Sequence, residues 1–335
     1  MSNTIDSWPR SRIKGTGSYV PARVVTNDDL AKLVDTSDEW IRKRVGIRER
    51  RYAAEGETSS DMAAEAARRA LAAAQLNPED LDMIIVGTIT GDMPLPACAV
   101  FIQRKLGCRE IPAFDVAAAC AGFIFALSTG DSFIRSGAAR NVLVIGVETL
   151  TRITNFDDRN TCVLFGDGAG AAILSCVENA DDGLLLSTNI STDGTQSDML
   201  QIPAGGSKEP LTHEGLDARR NKVFMNGQEV FKVAVRRLTS ASQACMQLAG
   251  LTPEQIDWVV PHQANLRILN QIAARLGIPY ERFVLNIENR GNTSSASVPI
   301  ALNEAILDGR IKRGNTVLMC ALGGGISWGS ALVRI

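Results

Sequence analysis

Leu76-Asn77-Pro78-Glu79-Asp80-Leu81-Asp82-Met83-Ile84-Ile85-Val86 has a second version at Leu251-Thr252-Pro253-Glu254-Gln255-Ile256-Asp257-Trp258-Val259-Val260-Pro261. Leucine, proline, glutamate, an aliphatic residue and aspartate fall on matching positions, offset by 175 (251 − 76). Each copy reads as a helix end, a turn, then a buried strand. The echo continues outward. A helix follows each strand and ends in Leu-Gly, at Leu106-Gly107 and at Leu276-Gly277. Asn141-Val142-Leu143-Val144-Ile145 then pairs with Asn315-Thr316-Val317-Leu318-Met319. Gly-rich turns follow in both halves, Phe165-Gly166-Asp167-Gly168-Ala169-Gly170 and Leu322-Gly323-Gly324-Gly325-Ile326. Three matches in one order make chance a poor explanation. Helices alternating with apolar strands predict an α/β fold with buried sheets. The chain therefore reads as a duplication, residues 1–180 and 181–335, with the halves packed face to face and a site between them.

Composition narrows the function. The chain has 335 residues, 45% hydrophobic and 21% charged, as expected of a globular protein. A net charge of −2 gives no field that would gather nucleic acid or a membrane surface. No run approaches the ~20 apolar residues of a membrane span, and Met1 to Arg12 reads as a loose lead-in without an apolar signal core. Seven scattered cysteines with no CxxC point to a reduced, cytoplasmic protein. Two histidines, His213 and His262, exclude a His-rich metal site, and no zinc-ligand spacing appears.

Three polar residues fall at strand ends on this frame. Cys120 follows the apolar stretch ending at Val116 and precedes the helical Gly122-Phe123-Ile124-Phe125-Ala126-Leu127. A helix N-terminus favours thiolate over thiol; a buried structural cysteine is the plain alternative. His262 follows the strand Trp258 to Val260, at the end where α/β folds bind ligands. Asn292, in Gly291-Asn292-Thr293-Ser294, follows an expected apolar strand from Phe283 to Ile287 and occupies the junction equivalent to that of Cys120. Either polar residue could simply cap a helix. Cys, His and Asn together suit thiol chemistry, a cysteine hydrolase included. Gly166-Asp167-Gly168-Ala169-Gly170 lacks the strand-loop-helix context of a dinucleotide loop and reads as a tight turn.

Ala118-Ala119-Cys120-Ala121-Gly122-Phe123, His262-Gln263-Ala264-Asn265, Gly291-Asn292-Thr293-Ser294 and the ending Gly323-Gly324-Gly325-Ile326-Ser327-Trp328-Gly329-Ser330-Ala331-Leu332-Val333-Arg334 closely resemble the β-ketoacyl-acyl-carrier-protein synthase III family. So do Thr36-Ser37-Asp38-Glu39-Trp40-Ile41, a capped helix start, and the Phe165–Gly170 turn. The resemblance implies the duplicated thiolase-like fold, layered αβαβα, and a two-stage acyltransferase reaction. Cys120 would take an acyl group from acyl-CoA; malonyl-acyl-carrier protein would then lose carbon dioxide and condense with it, starting a fatty acid chain. His262 and Asn292 would donate hydrogen bonds where enolate charge develops. The backbone amides of Cys120 and Gly324 would form the oxyanion hole.

The same resemblance assigns Trp40, Arg44 and Arg159 to CoA, and Gly227, Phe231 and Asn265 to its pantetheine path. Lys232 and Arg267 fall on carrier-protein docking positions. A further basic position falls on Ala274, with Arg275 beside it, while Arg236 and Arg237 read as solvated charge. Leu95, in Met93-Pro94-Leu95-Pro96, matches the residue that closes the acyl pocket of the partner subunit, so a homodimer is implied. A leucine where the family often has an aromatic suggests a longer or branched primer. No metal or cofactor is implied, acyl-CoA being a substrate. A relative that loads starters in secondary metabolism fits the same motifs, and a non-catalytic carrier-binding subunit is disfavoured by Cys120.

Overall fold

The apolar runs form strands in a computed structural model that describes residues 9–177 and 183–335. The expected boundary at 180/181, and residues 1–8 of the lead-in, lie outside the described residues. The first half contains β1 (Ser11–Tyr19), β2 (Arg23–Thr26), β3 (Glu49–Tyr52), β4 (Met83–Gly87), β5 (Ala113–Val116), β6 (Asn141–Glu148) and β7 (Gly168–Cys176). The second contains β8 (Leu184–Thr192), β9 (Leu200–Gln201), β10 (Phe224–Met225), β11 (Trp258–Pro261), β12 (Thr316–Gly323) and β13 (Ser327–Arg334). Two sheets carry the core, ordered β1-β7-β6-β4-β5 and β8-β13-β12-β11.

The registers demonstrate the duplication. β4 runs parallel to β6, pairing Met83 with Val142, as β11 runs parallel to β12, pairing Trp258 with Val317. β6 and β7 are antiparallel, as are β12 and β13. Even the irregularities repeat: β1 bulges beside Leu174, and β8 bulges beside Val333. These registers correct one detail of the sequence alignment. Val142, and not Leu143, is the counterpart of Val317, because both sit opposite the first residue of the preceding parallel strand.

Both faces of each sheet are covered, which is why the central strands are apolar at nearly every position. Val142 and Val144 of β6, and Val317 and Met319 of β12, point to one shared inner layer. That layer holds the helices Gly122–Arg135 and Ser297–Leu307. Leu143 and Ile145 point outward onto the Ser59–Ala74 and Cys98–Leu106 helices. Leu318 and Cys320 point outward onto the Gly227–Ala249 and Leu266–Leu276 helices. The result is the five-layered αβαβα arrangement.

One expected strand is missing. Phe283 makes a single parallel bridge to Val259, and Ile287–Arg290 is a short helix. The buried Gln263 side chain explains the difference. It donates to Val284 O (3.0 Å) and accepts from Asn286 N (3.1 Å) and Ile287 N (3.2 Å). The backbone groups that a strand partner would satisfy are already paired. A smaller apolar cluster lies outside the sheets, built from Ile41, Val45, Tyr52, Leu164 and Phe165 with Trp40, Leu200 and Leu266 against it. It carries the excursions that reach over the strand ends.

Candidate active site

The two inner helices begin at the same kind of turn. Ala119 (φ 45°) and Ser294 (φ 49°) both adopt the left-handed conformation, uncommon for residues other than glycine. Each opens a single 3₁₀ turn, Ala119–Ala121 and Ser294–Ser295–Ala296, that runs into the helix. Glycines let the sheets come up against these turns. A Cβ on Gly87 would lie 2.3 Å from the Gly122 carbonyl carbon, and one on Gly323 only 2.5 Å from Cys120 N. The Cys120 sulfur therefore sits where the ends of β4 and β12 meet the start of a buried helix, 9% exposed. Gly324 follows the residue that touches the Cys120 amide, and a Cβ there would meet Leu200 O at 2.7 Å.

Ser294 joins the three polar residues singled out in the sequence. Its hydroxyl neighbours the Cys120 thiol closely enough to draw its ionisation downward. Its N–H donates to Asn292 Oδ1 (2.8 Å), which fixes the amide and leaves Nδ2 free to donate. Its carbonyl lies 2.8 Å from Ser297 Oγ, which in turn lies 2.6 Å from His262 Nδ1. The single Ser297 proton can be given to either neighbour. Asn292 is also held through its backbone: its N–H donates to Leu164 O (2.8 Å) and its carbonyl accepts from Gly166 N (3.0 Å). Beneath that bridge the buried Arg50 guanidinium donates to Val163 O (2.8 Å) and Val25 O (3.2 Å). The Phe165–Gly168 stretch is thus a support for Asn292, and the residues after it continue as β7.

Burial sets the charge states. It pushes the Cys120 thiol up to about 12, against the downward pull of the Ser294 hydrogen bond. It pushes His262, 4% exposed, down to about 4, so the imidazole is neutral. The helix N-terminus that favours thiolate is thus opposed by burial, and a sulfur held as thiol needs a proton acceptor.

The residues assigned to CoA also meet. The Arg44 and Arg159 guanidinium groups each lie 5.2 Å from the Trp40 ring centroid. Trp40 is positioned by Ser37, which caps the Asp38–Val45 helix by accepting from Trp40 N (3.2 Å). Asn265 caps the Leu266–Leu276 helix, accepting from Arg267 N (2.8 Å), and reaches Arg44 O (3.4 Å). It therefore links the His262 loop to the arm bearing Trp40. Gly227 starts the preceding long helix, where a Cβ would meet Met225 Cε at 3.7 Å. Arg267 stacks over Phe231 (5.7 Å), four residues along that helix.

Lys232, Arg236 and Arg275 line a surface cavity of about 360 Å³ together with Glu229. Arg237 departs from the reading as solvated charge. Its guanidinium stacks over Trp328 (4.4 Å) and pairs with Asp193 (3.1 Å), whose backbone exchanges hydrogen bonds with Ile326 in the glycine turn. Leu95 is 83% exposed on its Pro-flanked loop, away from these groups.

Sequence reading missed Ser294 as the hub and missed Glu148 altogether. Glu148 ends β6, is fully buried, and accepts from Thr88 Oγ1 (3.3 Å), Ile89 N (3.2 Å), Thr90 Oγ1 and Ser294 Oγ (3.3 Å). Its one sequence signal was a carboxylate closing an otherwise apolar strand. None of the seven cysteines is paired, and among the described residues no helix is long and apolar enough to cross a membrane.

Known proteins share this sequence and fold. Residues 114–194 match the family model described as 3-oxoacyl-[acyl-carrier-protein (ACP)] synthase III, and residues 246–335 match the model of its C-terminal part. A relative from Methylococcus capsulatus named beta-ketoacyl-[acyl-carrier-protein] synthase III is 52% identical over 324 residues, 97% of this chain and 98% of its own. The crystal structure of 3-oxoacyl-[acyl-carrier-protein] synthase III from Aquifex aeolicus superposes with a TM-score of 0.89 at 46% identity, covering 97% of this chain and 100% of that one. The priming beta-ketosynthase of a polyketide biosynthetic pathway does so with a TM-score of 0.89 at 36% identity, covering 98% and 97%. Matched over nearly its whole length in sequence and in fold, the chain belongs to the beta-ketoacyl-[acyl-carrier-protein] synthase III family, thiolase-fold condensing acyltransferases of fatty acid biosynthesis.

Proposed function

We propose that the enzyme starts fatty acid chains by decarboxylative condensation of an acyl-CoA with malonyl-acyl-carrier protein, through an acyl group held on Cys120. The observation that carries this reading is the convergence of thiol, imidazole and amide on Ser294. In the first stage Cys120 attacks the thioester carbonyl, with the Cys120 and Gly324 amides receiving the oxyanion. In the second, the malonyl group loses carbon dioxide while Asn292 Nδ2 and His262 Nε2 donate to the enolate oxygen. Ser297 supports that step when its hydroxyl turns from the Ser294 carbonyl to donate to Nδ1, so that Nε2 is the ring nitrogen carrying hydrogen. Neutral donors in a dry site stabilise developing charge without binding the ground state equally well, and one is worth ~3 kcal/mol. The upward shift of the thiol and the downward shift of the imidazole fit this division of labour.

Trp40 offers a face to the adenine of CoA, Arg44 and Arg159 offer charge to its phosphates, and Gly227, Phe231 and Asn265 line the way in. The carrier protein docks on the face bearing Lys232 and Arg267. The working unit is a homodimer in the cytoplasm, with Leu95 reaching into the acyl pocket of the partner. Support comes from its exposure and from β5, an edge strand with only half-buried side chains. Leu95→Phe narrows primer choice towards acetyl; an unchanged chain-length profile rejects the pocket assignment. Similarity to a polyketide priming enzyme favours starter loading as the second reading. Intact-protein mass spectrometry with a panel of acyl-CoAs, followed by malonyl-carrier protein, separates the two. Condensation discharges the Cys120 adduct as a ketoacyl-carrier protein; starter loading leaves an adduct that malonyl-carrier protein cannot discharge.

A further inference from the structure

Behind the nucleophile lies a carboxyl that no step above uses. Glu148 stands at the end of β6 and accepts from the Ser294 hydroxyl, which also neighbours Cys120. The groups around it are hydroxyls and amides. Thr88, Thr90 and Ser294 hydroxyls and Ile89 N donate to it, the Ser295 hydroxyl lies beside it, Thr149 N donates to Thr90 Oγ1 (2.9 Å), and Ser59 Oγ donates to Thr90 O (2.6 Å). A buried carboxylate at this position is costly unless it has a task or a cation. The titratable groups that register its charge are two thiols, Cys120 and Cys98, both pushed up by burial and therefore neutral. Asp92 and Asp115 lie beyond Cys98.

We propose that Glu148, reached through the Ser294 hydroxyl, is the proton acceptor for the Cys120 thiol during acylation. This rests on the functional reading above and deepens its first stage. As sulfur attacks the thioester carbonyl carbon, the S–H bond breaks and its proton passes to Ser294 Oγ. The Ser294 proton passes at the same time to Glu148 Oε1. The new S–C bond forms, the bond to the CoA sulfur breaks, and the CoA thiolate leaves and takes a proton from water. After condensation the acyl C–S bond breaks, and the Cys120 thiolate recovers its proton from Glu148 by the same path reversed. The Ser294–Glu148 separation of 3.3 Å is long for such a transfer, and hydrogen bonds of this kind tighten in the reactive complex. Burial also brings Glu148 up to about 7, suited to a base working near neutral pH.

The test is the rate of Cys120 acylation by acetyl-CoA and isobutyryl-CoA between pH 6 and 9, read by quenched-flow mass spectrometry. It is made on the wild type, Glu148→Gln and Ser294→Ala. The wild-type rate rises to about pH 7 and then levels, as Glu148 completes its ionisation. Both variants acylate about 100-fold more slowly at neutral pH, and their rates keep climbing with pH because only free thiolate reacts. Variants that keep the shape of the wild-type profile, at whatever speed, overturn the relay, since a supporting role for Glu148 would alter stability and not the profile. Should Glu148→Gln fail to fold, Ser294→Ala decides alone, being a small change at a residue already tolerated in its backbone conformation. A wild type that forms no adduct at any pH takes down the functional reading itself, and the relay with it.

Discussion

Ala119-Cys120-Ala121-Gly122 and Ser294-Ser295-Ala296-Ser297 are the same piece of structure built twice, 175 residues apart (294 − 119). Each begins with a left-handed residue, makes one tight turn and enters a buried helix. The second residue of each differs in use. Ser295 is fully buried and donates to Gly87 O (2.8 Å) and Val147 O (3.4 Å), tying the second-half helix to the first-half sheet. Cys120 has no hydroxyl to make that tie and brings its thiol beside Ser294 of the second half. Three residues before each comes Ala117 in one half and Asn292 in the other. Duplication therefore supplies two equally rigid frames, and the fold needs only one of them for support. The other is free to hold a nucleophile, while the supporting copy lends its neighbours, Asn292, Ser294 and Ser297, to the reaction.

Cys120→Ala breaks the comparison most severely, since it removes the only chemical difference that matters at the second position. Acyl transfer from CoA should vanish, and a variant that still gains acyl mass on incubation with acyl-CoA would falsify the assignment. Asn292→Ala makes the two junctions alike at the third residue upstream. Condensation should fall by more than 100-fold, corresponding to ~3 kcal/mol of lost charge stabilisation, while acyl transfer from CoA largely survives. Equal loss of both stages contradicts the division of roles between the halves.

The duplicated sheets were legible because every central strand is apolar on both faces, and because the turn Leu-x-Pro-Glu recurs. Cys120, His262 and Asn292 were legible because strand ends are where such folds do chemistry. What escaped the sequence depends on contacts distant in the chain. Phe283 to Ile287 has the composition of a strand, yet Gln263, about twenty residues earlier, takes its hydrogen bonds. A helix N-terminus promises a thiolate, but the depth of burial that reverses it is a property of the packed halves. Glu148 reads locally as a strand reaching solvent; only the second half, arriving with Ser294, closes it in. Arg237 and Arg236 are adjacent in sequence, and only the distant Trp328 and Asp193 make one of them structural.

Glu148 also leaves a thermodynamic trace of that closure. Its carboxyl is raised from an ordinary 4.5 to about 7 in the folded protein, so folding favours its protonated form. The contribution is full below about pH 4.5 and is lost as pH rises through 7. Relative to Glu148→Gln, the wild type should lose about 3 kcal/mol of unfolding free energy between pH 5 and 8, measured by urea denaturation at each pH. A constant difference across that range means that Glu148 does not change protonation on folding. His262 slopes the other way, since its folded form resists protonation and loses stability as pH falls from 6.5 towards 4. Taking the difference between two chains that share His262 cancels that term.

Ser295→Ala is the gentlest change and the one that separates support from chemistry. The substitution leaves the left-handed residue before it and the Ser294 hydroxyl untouched, and removes one buried donor. Its acceptors, Gly87 O and Val147 O, lie at the ends of β4 and β6, next to the bare α-carbons on which the inner helices rest. Losing this hydroxyl should cost about 1–2 kcal/mol, visible as a lower denaturation midpoint with an unchanged slope. The acylation rate of the folded enzyme should stay within a few-fold of wild type, because the Ser295 hydroxyl gives its proton to Gly87 O and, although it lies beside Glu148, carries no proton between Cys120 and that carboxyl. A Ser295→Ala protein with native stability but a tenfold loss of acylation would mean that the two junctions are not divided into a chemical and a supporting copy. Reaction and support would then run through both turns together, and the relay behind Cys120 would have to be extended to include Ser295.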